Sequence, residues 1–219
     1  MNLAEKCGSR LILLALAFSL ASISCSKPSP GMLELLASRE AIRTAQSWQE
    51  DIGAQAPTGQ WMIINLEKVE CPGRMDRIAM LRDSYNRGVH ELEYDGAYYS
   101  KGNGMEWLKV PGAQIAAITC GRGPSLVWDG VLYDDLDAVQ QSGEVRPGKP
   151  AISSDDACEW WEVAPAKGAP AHYTVCIHAD DHLPYIVHSR EHDLNYTYTL
   201  SRWNTTKVTL PENLPTGGN

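Results

Sequence analysis

From Gln60 onward the apolar residues of this chain recur with a period of two, in short runs separated by turn clusters rich in Gly, Pro, Asn and Asp. Successive residues on a strand point to opposite sides, so each run can bury only one face and must find partners for its backbone groups. The runs are Trp61 to Val69, Met75 to Leu81, Val89 to Tyr94, Ala97 to Ser100 and Met105 to Val110. After a gap come Cys158 to Ala164, Tyr173 to Ile177, Tyr185 to Ser189, Tyr196 to Trp203 and Lys207 to Leu210. Asp95-Gly96 between two of them is a strong signal for a two-residue hairpin. There is no alternating β-α rhythm, which disfavours a parallel sheet. Two stretches carry helical spacing instead. Leu33, Leu36, Ala37, Ile42, Ala45 and Trp48, with Gly53 as a stop, predict an amphipathic helix over residues 33 to 53. Leu126, Val127, Val131, Leu132, Leu136 and Val139 predict a second over Ser125 to Gln141, after Pro124. The expected fold class is α+β, an antiparallel sheet that curls over its helices.

The first residues read as a removable segment. Lys6 and Arg10 precede the apolar run Leu11 to Leu20, which is too short to span a bilayer, and Ala21, Ser22 and Ser24 lead directly to Cys25. This order resembles the lipobox of bacterial lipoproteins, in which the cysteine is joined to diacylglycerol, becomes the N-terminus and is acylated with palmitate or a similar chain. Ser22 stands where that family prefers Leu, Val or Ile, so an ordinary cut that releases a soluble product is the alternative. The resemblance implies a signal peptide over residues 1–24 and lipidation of Cys25, with a membrane contact through that anchor. Ser26 and Lys27 lean toward sorting to the outer membrane, facing the periplasm. Residues 25–31, with Pro28 and Pro30, read as the anchor and its tether, residues 32–211 as a single domain and residues 212–219 as a disordered tail. Roughly 195 residues remain after the signal, enough for one domain to bury roughly 70% of its unfolded surface.

Charge narrows the partners. The chain has 27 acidic against 19 basic residues and a net charge of −8. A nucleic-acid binder needs a basic stripe, and here the cations are spread among carboxylates. Nor does the sequence offer a peripheral grip on anionic lipid. Beyond Cys7 in the signal and Cys25, four cysteines are left, Cys71, Cys120, Cys158 and Cys176. In an oxidising compartment an even number favours two disulfides. Of the three pairings, a hairpin of the runs on either side of residues 165–170 brings Cys158 and Cys176 opposite each other, which leaves Cys71 to Cys120. No CxxC spacing supports a zinc site in their place.

Several segments, in this order, resemble the LolA/LolB-like superfamily of periplasmic lipoprotein carriers and lipid-binding lipoproteins. They are Cys71-Pro72-Gly73-Arg74 at the head of a strand, the hairpin Glu91 to Tyr99 leading to Glu106-Trp107, the run Ile177 to Leu183-Pro184, and the ending Tyr196-Thr197-Tyr198, Trp203-Asn204 and Val208 to Pro211. The resemblance implies a strongly curved antiparallel half-barrel with helices packed on its concave side and a cavity for a hydrophobic or acylated ligand. Trp61, Trp107, Trp160, Trp161 and Trp203 are the candidate cavity walls, against the plainer reading that strand aromatics are core. The expected function is non-enzymatic, without a cofactor: an envelope lipoprotein that binds or transfers a lipidic ligand. A protein-interaction or sensor module on the same fold, with an envelope protein as partner, is the alternative.

Two polar clusters carry residue types that could do chemistry. His188-Ser189-Arg190-Glu191-His192 spells the H-x-x-E-H of inverzincins, and a zinc hydrolase built on His188, Glu191 and His192 would need a helix where the surrounding pattern reads as strand. His178-Ala179-Asp180-Asp181-His182 could hold a divalent ion, but Asp in that position before Leu183-Pro184 is explained by a turn. No nucleotide-binding glycine string or nucleophile elbow is present, and residues 143 to 149 approach a phosphate loop only until Pro150.

Overall fold

The computed structural model describes residues 27–81, 88–111, 116, 119–120, 123–124, 132, 136–149, 157–191 and 193–215, with backbone alone for residues 61–64, 81 and 191. The expected signal and Cys25 lie outside the described residues. Helix α1 spans Pro30–Thr44. It is followed by β1 Ser47–Gln55, β2 Trp61–Glu70, β3 Arg74–Leu81, β4 Val89–Tyr94, β5 Ala97–Gly102 and β6 Leu108–Val110. Helix α2, Leu136–Ser142, leads into β7 Glu144–Pro147, β8 Cys158–Ala164, β9 Tyr173–His178, β10 Pro184–Glu191 and β11 Leu194–Ser201. The strands form one sheet of eleven in the order β6-β5-β4-β3-β2-β1-β11-β10-β9-β8-β7. Each neighbouring pair is antiparallel. The sheet is open, and the observed architecture is the antiparallel α+β fold expected from the strand pattern and the half-barrel that the resemblance implied.

Register divides the side chains between two faces. Trp48 lies opposite Val69, which lies opposite Met75. Tyr198 lies opposite Val187, which lies opposite Val175. These residues join Val163 and Val145 in one buried cluster with Met32, Leu35 and Ile42 of α1 and Leu136 and Val139 of α2. The face that carries them is the inner one. Ser29 caps α1, accepting from the Met32 N–H at 3.2 Å, and Pro30 takes the first position, where its missing N–H costs nothing. The helix sits close to the sheet at Gly31, where a Cβ would come within 2.6 Å of both Trp161 and Val145.

The helix expected over residues 33 to 53 is half strand. It stops at Thr44, the Ala45 N–H turns back to Ile42 O at 3.1 Å, and β1 begins at Ser47. Trp48 fits both periods, but Trp48, Glu50 and Ala54 are buried on one face with Ile52 half-buried between the last two, because β1 occupies the middle of the sheet with a ladder on each side. Tertiary pairing overrides local spacing there. The buried stripe of α1 is Met32, Leu35, Ser38 and Ile42, whereas Leu33 is exposed. Of the helix expected over Ser125 to Gln141, α2 supplies the end and Leu132 is a buried turn residue; most of the rest lies outside the described residues. Strand β7 lies within residues 143 to 149, which approach a phosphate loop in spelling but pair with β8 instead. Only Leu108–Val110 of the run expected from Met105 pairs, because a turn with Gly104 at φ +72 and a Met105 N–H to Gly102 O bond of 3.1 Å comes first.

Lys207 to Leu210, expected as a strand, joins no ladder. Its backbone is held by a side chain, with the Val208 N–H donating to Glu70 Oε2 at 3.0 Å. This segment closes the fold as a strap. Trp203 packs on Trp48 at 6.2 Å between ring centroids, and its Nε1 donates to Pro184 O at 3.2 Å. Asn204 takes the Gln46 N–H at 2.7 Å on its side-chain oxygen and gives its own N–H to Ser47 O at 2.8 Å. Val208 then enters a second cluster with Leu92 and Trp107, against which Leu214 packs. Leu92 alternates with the inner-facing Glu91 and Glu93, so that cluster lies on the outer face.

Candidate functional site

The inner face is the surface a half-barrel can offer to a ligand, and its lining follows from the ladders. One row of direct cross-strand partners runs Tyr198, Ile52, Asn65, Ala79, Val89 from β11 to β4. Tyr198 is buried, Ile52, Asn65 and Ala79 are half-buried, and Val89 is exposed, so the row leads from the packed core out to the open margin. At about 4.8 Å per strand, four steps span roughly 19 Å. The row is apolar except for Asn65, whose side-chain oxygen is buried and has no hydrogen-bond partner. A buried carbonyl without a donor is costly, and a bound donor relieves it.

The next row is charged. Leu200, Glu50, Glu67, Arg77, Glu91, Ser100 and Leu108 are successive partners from β11 to β6. Arg77 donates through Nε to Glu91 Oε2 at 2.7 Å and through Nη2 to the same oxygen. The Tyr98 hydroxyl donates to the other oxygen of Glu91. Burial first, then this bond to a carboxylate, pushes the Tyr98 phenol up to about 12, so it stays a donor. Glu93 accepts from the Ala116 N–H at 2.8 Å, which ties Ala116 onto the inner face. The sequence reading missed this network. Its only trace was the spacing of Glu91 and Glu93, with Arg77 placed to meet them once β3 and β4 are in register.

The five candidate tryptophans divide between the two faces. Trp203 meets Trp48 within the core, and Trp161 lies on the inner face beside Gly31. Trp160 is on the outer face, its ring parallel within 8° to that of His188 at 6.1 Å. Trp107 is also outside, in the cluster with Leu92 and Val208, with Lys101 Nζ 4.6 Å from its ring centroid. Neither of these two borders the inner face. The side chain of Trp61 lies outside the described residues.

Both disulfides are formed, Cys71 to Cys120 and Cys158 to Cys176. The second pair is not directly opposite as expected. Cys158 faces His178 and Cys176 faces Trp160, so the bond runs diagonally across the β8–β9 ladder. The first bond fastens helical Cys120 to the turn between β2 and β3. With all four sulfurs paired, no thiolate is left for zinc.

His188 and Glu191 belong to strand β10, not to the helix an inverzincin requires, and His192 lies outside the described residues. His188 Nδ1 is 3.1 Å from Thr197 Oγ1, and burial lowers the affinity of its ring for a proton. Among the described residues no group of three His, Cys, Asp or Glu side chains gathers as a metal site. The His178 to His182 cluster is the β9–β10 turn. Asp181 Oδ1 accepts from the Leu183 N–H at 2.9 Å, and the His182 N–H donates to His178 O at 2.9 Å. Its last residue reaches across to α1, with His182 Nδ1 2.6 Å from Glu34 Oε1.

No protein-family model matches the sequence, and no curated protein matches it significantly. Solved structures do. LprF from Mycobacterium bovis is 18% identical, aligned over 86% of this chain and 99% of that one, with a TM-score of 0.56. The Mycobacterium tuberculosis lipoprotein LppX is 14% identical over 82% of this chain and 97% of its own, with a TM-score of 0.50. LolA superfamily protein NE2245 from Nitrosomonas europaea aligns over 83% and 95% at 12% identity, with a TM-score of 0.28. At these identities the likeness is one of fold alone: the chain shares the half-barrel fold of LprF and LppX.

Proposed function

We propose that the protein is an envelope-anchored lipoprotein, held through Cys25 and facing the periplasm from the outer membrane, that binds or passes on an amphipathic hydrophobic ligand and catalyses no reaction. The observation that carries this reading is the inner-face row from Tyr198 to Val89, apolar, open at one end and holding one unpartnered buried acceptor at Asn65. An acyl chain lying along it buries apolar surface at about 25 cal/mol per Å², and a donor on the ligand satisfies Asn65. The fold shared with LprF and with the lipoprotein LppX supports the same reading.

A second reading, an interaction or sensor module for an envelope protein, is favoured by one feature. The space beneath α1 is filled by Leu35, Trp48, Met75 and Trp203, all buried. Native mass spectrometry separates the two. The exported Cys25→Ser protein, purified from an oxidising periplasm and extracted with organic solvent, is expected to release acyl-chain lipid, and Asn65→Leu to lower its occupancy. A protein that travels empty in both forms overturns the carrier reading in favour of the interaction module.

A further inference from the structure

Two clefts of about 260 Å³ each, among the described residues, indent the outer face, and Ile78 lines both. The ladders place their floors. Leu66, Ile78, His90 and Lys101 are successive outer-face partners from β2 to β5. The first cleft, over β1 to β3, is lined by Asp51, Lys68 and Asp76, charges of both signs that select nothing. The second, over β3 to β5, is lined by His90 and Lys101 and, among the described residues, by no acid. Its floor is Ile78 and Met80, and Gly88, Gly102 and Gly104 around it bring no side chain to close it. The exposed Glu106 nearby is not part of its lining.

Both polar groups of the second cleft have capacity left. His90 Nε2 lies 2.5 Å from Asp76 Oδ1, so that nitrogen carries the proton of the bond and Nδ1 is the ring atom left for a ligand. The Asp76 carboxylate also balances the charge when the ring takes a second proton. Trp107 packs against the same ring at 4.6 Å between centroids. Lys101 Nζ stands 4.6 Å from the Trp107 ring centroid and forms no ion pair among the described residues. An anion set beside it gains a charge-assisted hydrogen bond. The space falls just short of the roughly 300 Å³ at which sites for drug-sized ligands begin, so the occupant is small. One uncompensated lysine over an apolar floor matches a singly charged head on a short aliphatic chain, whereas the second charge of a phosphate would find no cation.

We propose that the outer-face cleft at Ile78, Met80, His90 and Lys101 binds a short-chain aliphatic carboxylate, apart from any ligand of the inner face. It is tested by titrating the exported Cys25→Ser protein with sodium hexanoate, read by backbone amide NMR. The amides of His90, Lys101 and Asn103 are expected to shift saturably. Hexanoate should bind about ten-fold more tightly than butyrate, because each buried CH₂ contributes about four-fold. 1-Hexanol, with the same chain and no charge, should bind at least about five-fold more weakly than hexanoate. Lys101→Gln should weaken hexanoate binding about five-fold, and Lys101→Arg should retain it. Asn65→Leu, on the inner face, should leave it unchanged, so this site and the carrier reading can fail separately. Circular dichroism reports that each variant is folded. The proposal is overturned by an absence of saturable shifts, or by shifts confined to inner-face residues such as Ile52 and Ala79. Hexanol binding as tightly as hexanoate, or full binding by folded Lys101→Gln, overturns it equally.

Discussion

Lys207 Nζ lies 2.8 Å from one carboxylate oxygen of Glu70, while the N–H of the next residue, Val208, reaches the other at 3.0 Å. One side chain at the end of β2 thereby pins the strap that crosses from the inner face to the outer. The Lys207 bond first, and the Val208 bond next, hold the Glu70 carboxyl at about 2, below its ordinary value. A depressed carboxyl contributes stability above its unfolded pKa, lost as pH falls through the folded one. Glu70→Gln is therefore expected to cost about 1 kcal/mol in urea unfolding at pH 7. It should also flatten the loss of stability that the parent protein shows between about pH 4.5 and about pH 2.

Gly31 faces Trp161 and Val145 at a distance that leaves no room for a side chain. Gly31→Val forces the first turn of α1 off the β7–β8 end of the sheet. A cost of about 1–3 kcal/mol is expected, as for other overpacked sites. Increased acrylamide quenching of tryptophan fluorescence would report the exposure of Trp161. A thermal midpoint identical to that of the parent protein would contradict the packing described.

The Cys71–Cys120 bond closes the longer of the two loops, 49 residues against 18 for Cys158–Cys176. Loop entropy alone gives it about 4 kcal/mol, against about 3 for the shorter loop. Cys71→Ser with Cys120→Ser should therefore lower stability more than Cys158→Ser with Cys176→Ser. It should also raise proteolysis next to Cys120, which that bond fastens to the β2–β3 turn. Limited digestion followed by mass mapping checks the second expectation.

His182 is the polar link from the β9–β10 turn to α1. Its pKa is raised, chiefly by the bond to Glu34, then by the charges of Glu34, Asp181 and Glu159. A raised histidine contributes stability below its unfolded pKa, about 6.5, that is lost as pH rises through the folded value. Amide exchange in the first turns of α1 is expected to quicken as pH rises above about 6.5, beyond the intrinsic base-catalysed rate, and His182→Gln to remove that excess. Because this pair is largely solvent-exposed, the effect should be local and salt-sensitive.

How much of this was legible beforehand follows from which forces act locally. The Asp95-Gly96 hairpin was readable because both residues take the positive φ angles such a turn needs, 48° and 85°. The Cys158 to Ala164 run was likewise readable from its aromatic and β-branched residues between turn clusters, although its burial does not alternate, Val163 and Ala164 both being buried. Residues 47 to 55 were not, because Trp48 satisfies two periods and only the ladders to β2 and β11 decide between them. The inner-face charges escaped for a related reason. Arg77 and Glu91 are fourteen residues apart, and only register makes them partners. Aromatic identity misled at Trp107 and Trp160, because a tryptophan can cover the outside of a sheet as readily as its inside.

The pairing of the first strand with the last places a constraint on how the protein is made. Strands β2 to β6 and β7 to β10 are meanders that can form as they emerge, but β1 has only one neighbour until residues 194–201 are available to pair with its other edge. Nearly the whole chain must be present before the central ladder closes, so folding is set by a contact of very high sequence separation and is correspondingly slow. Throughout that wait β1 offers an unpaired edge beside an exposed Trp48, a template for the wrong partner. Safe passage of the unfinished chain therefore requires something to shield that one edge.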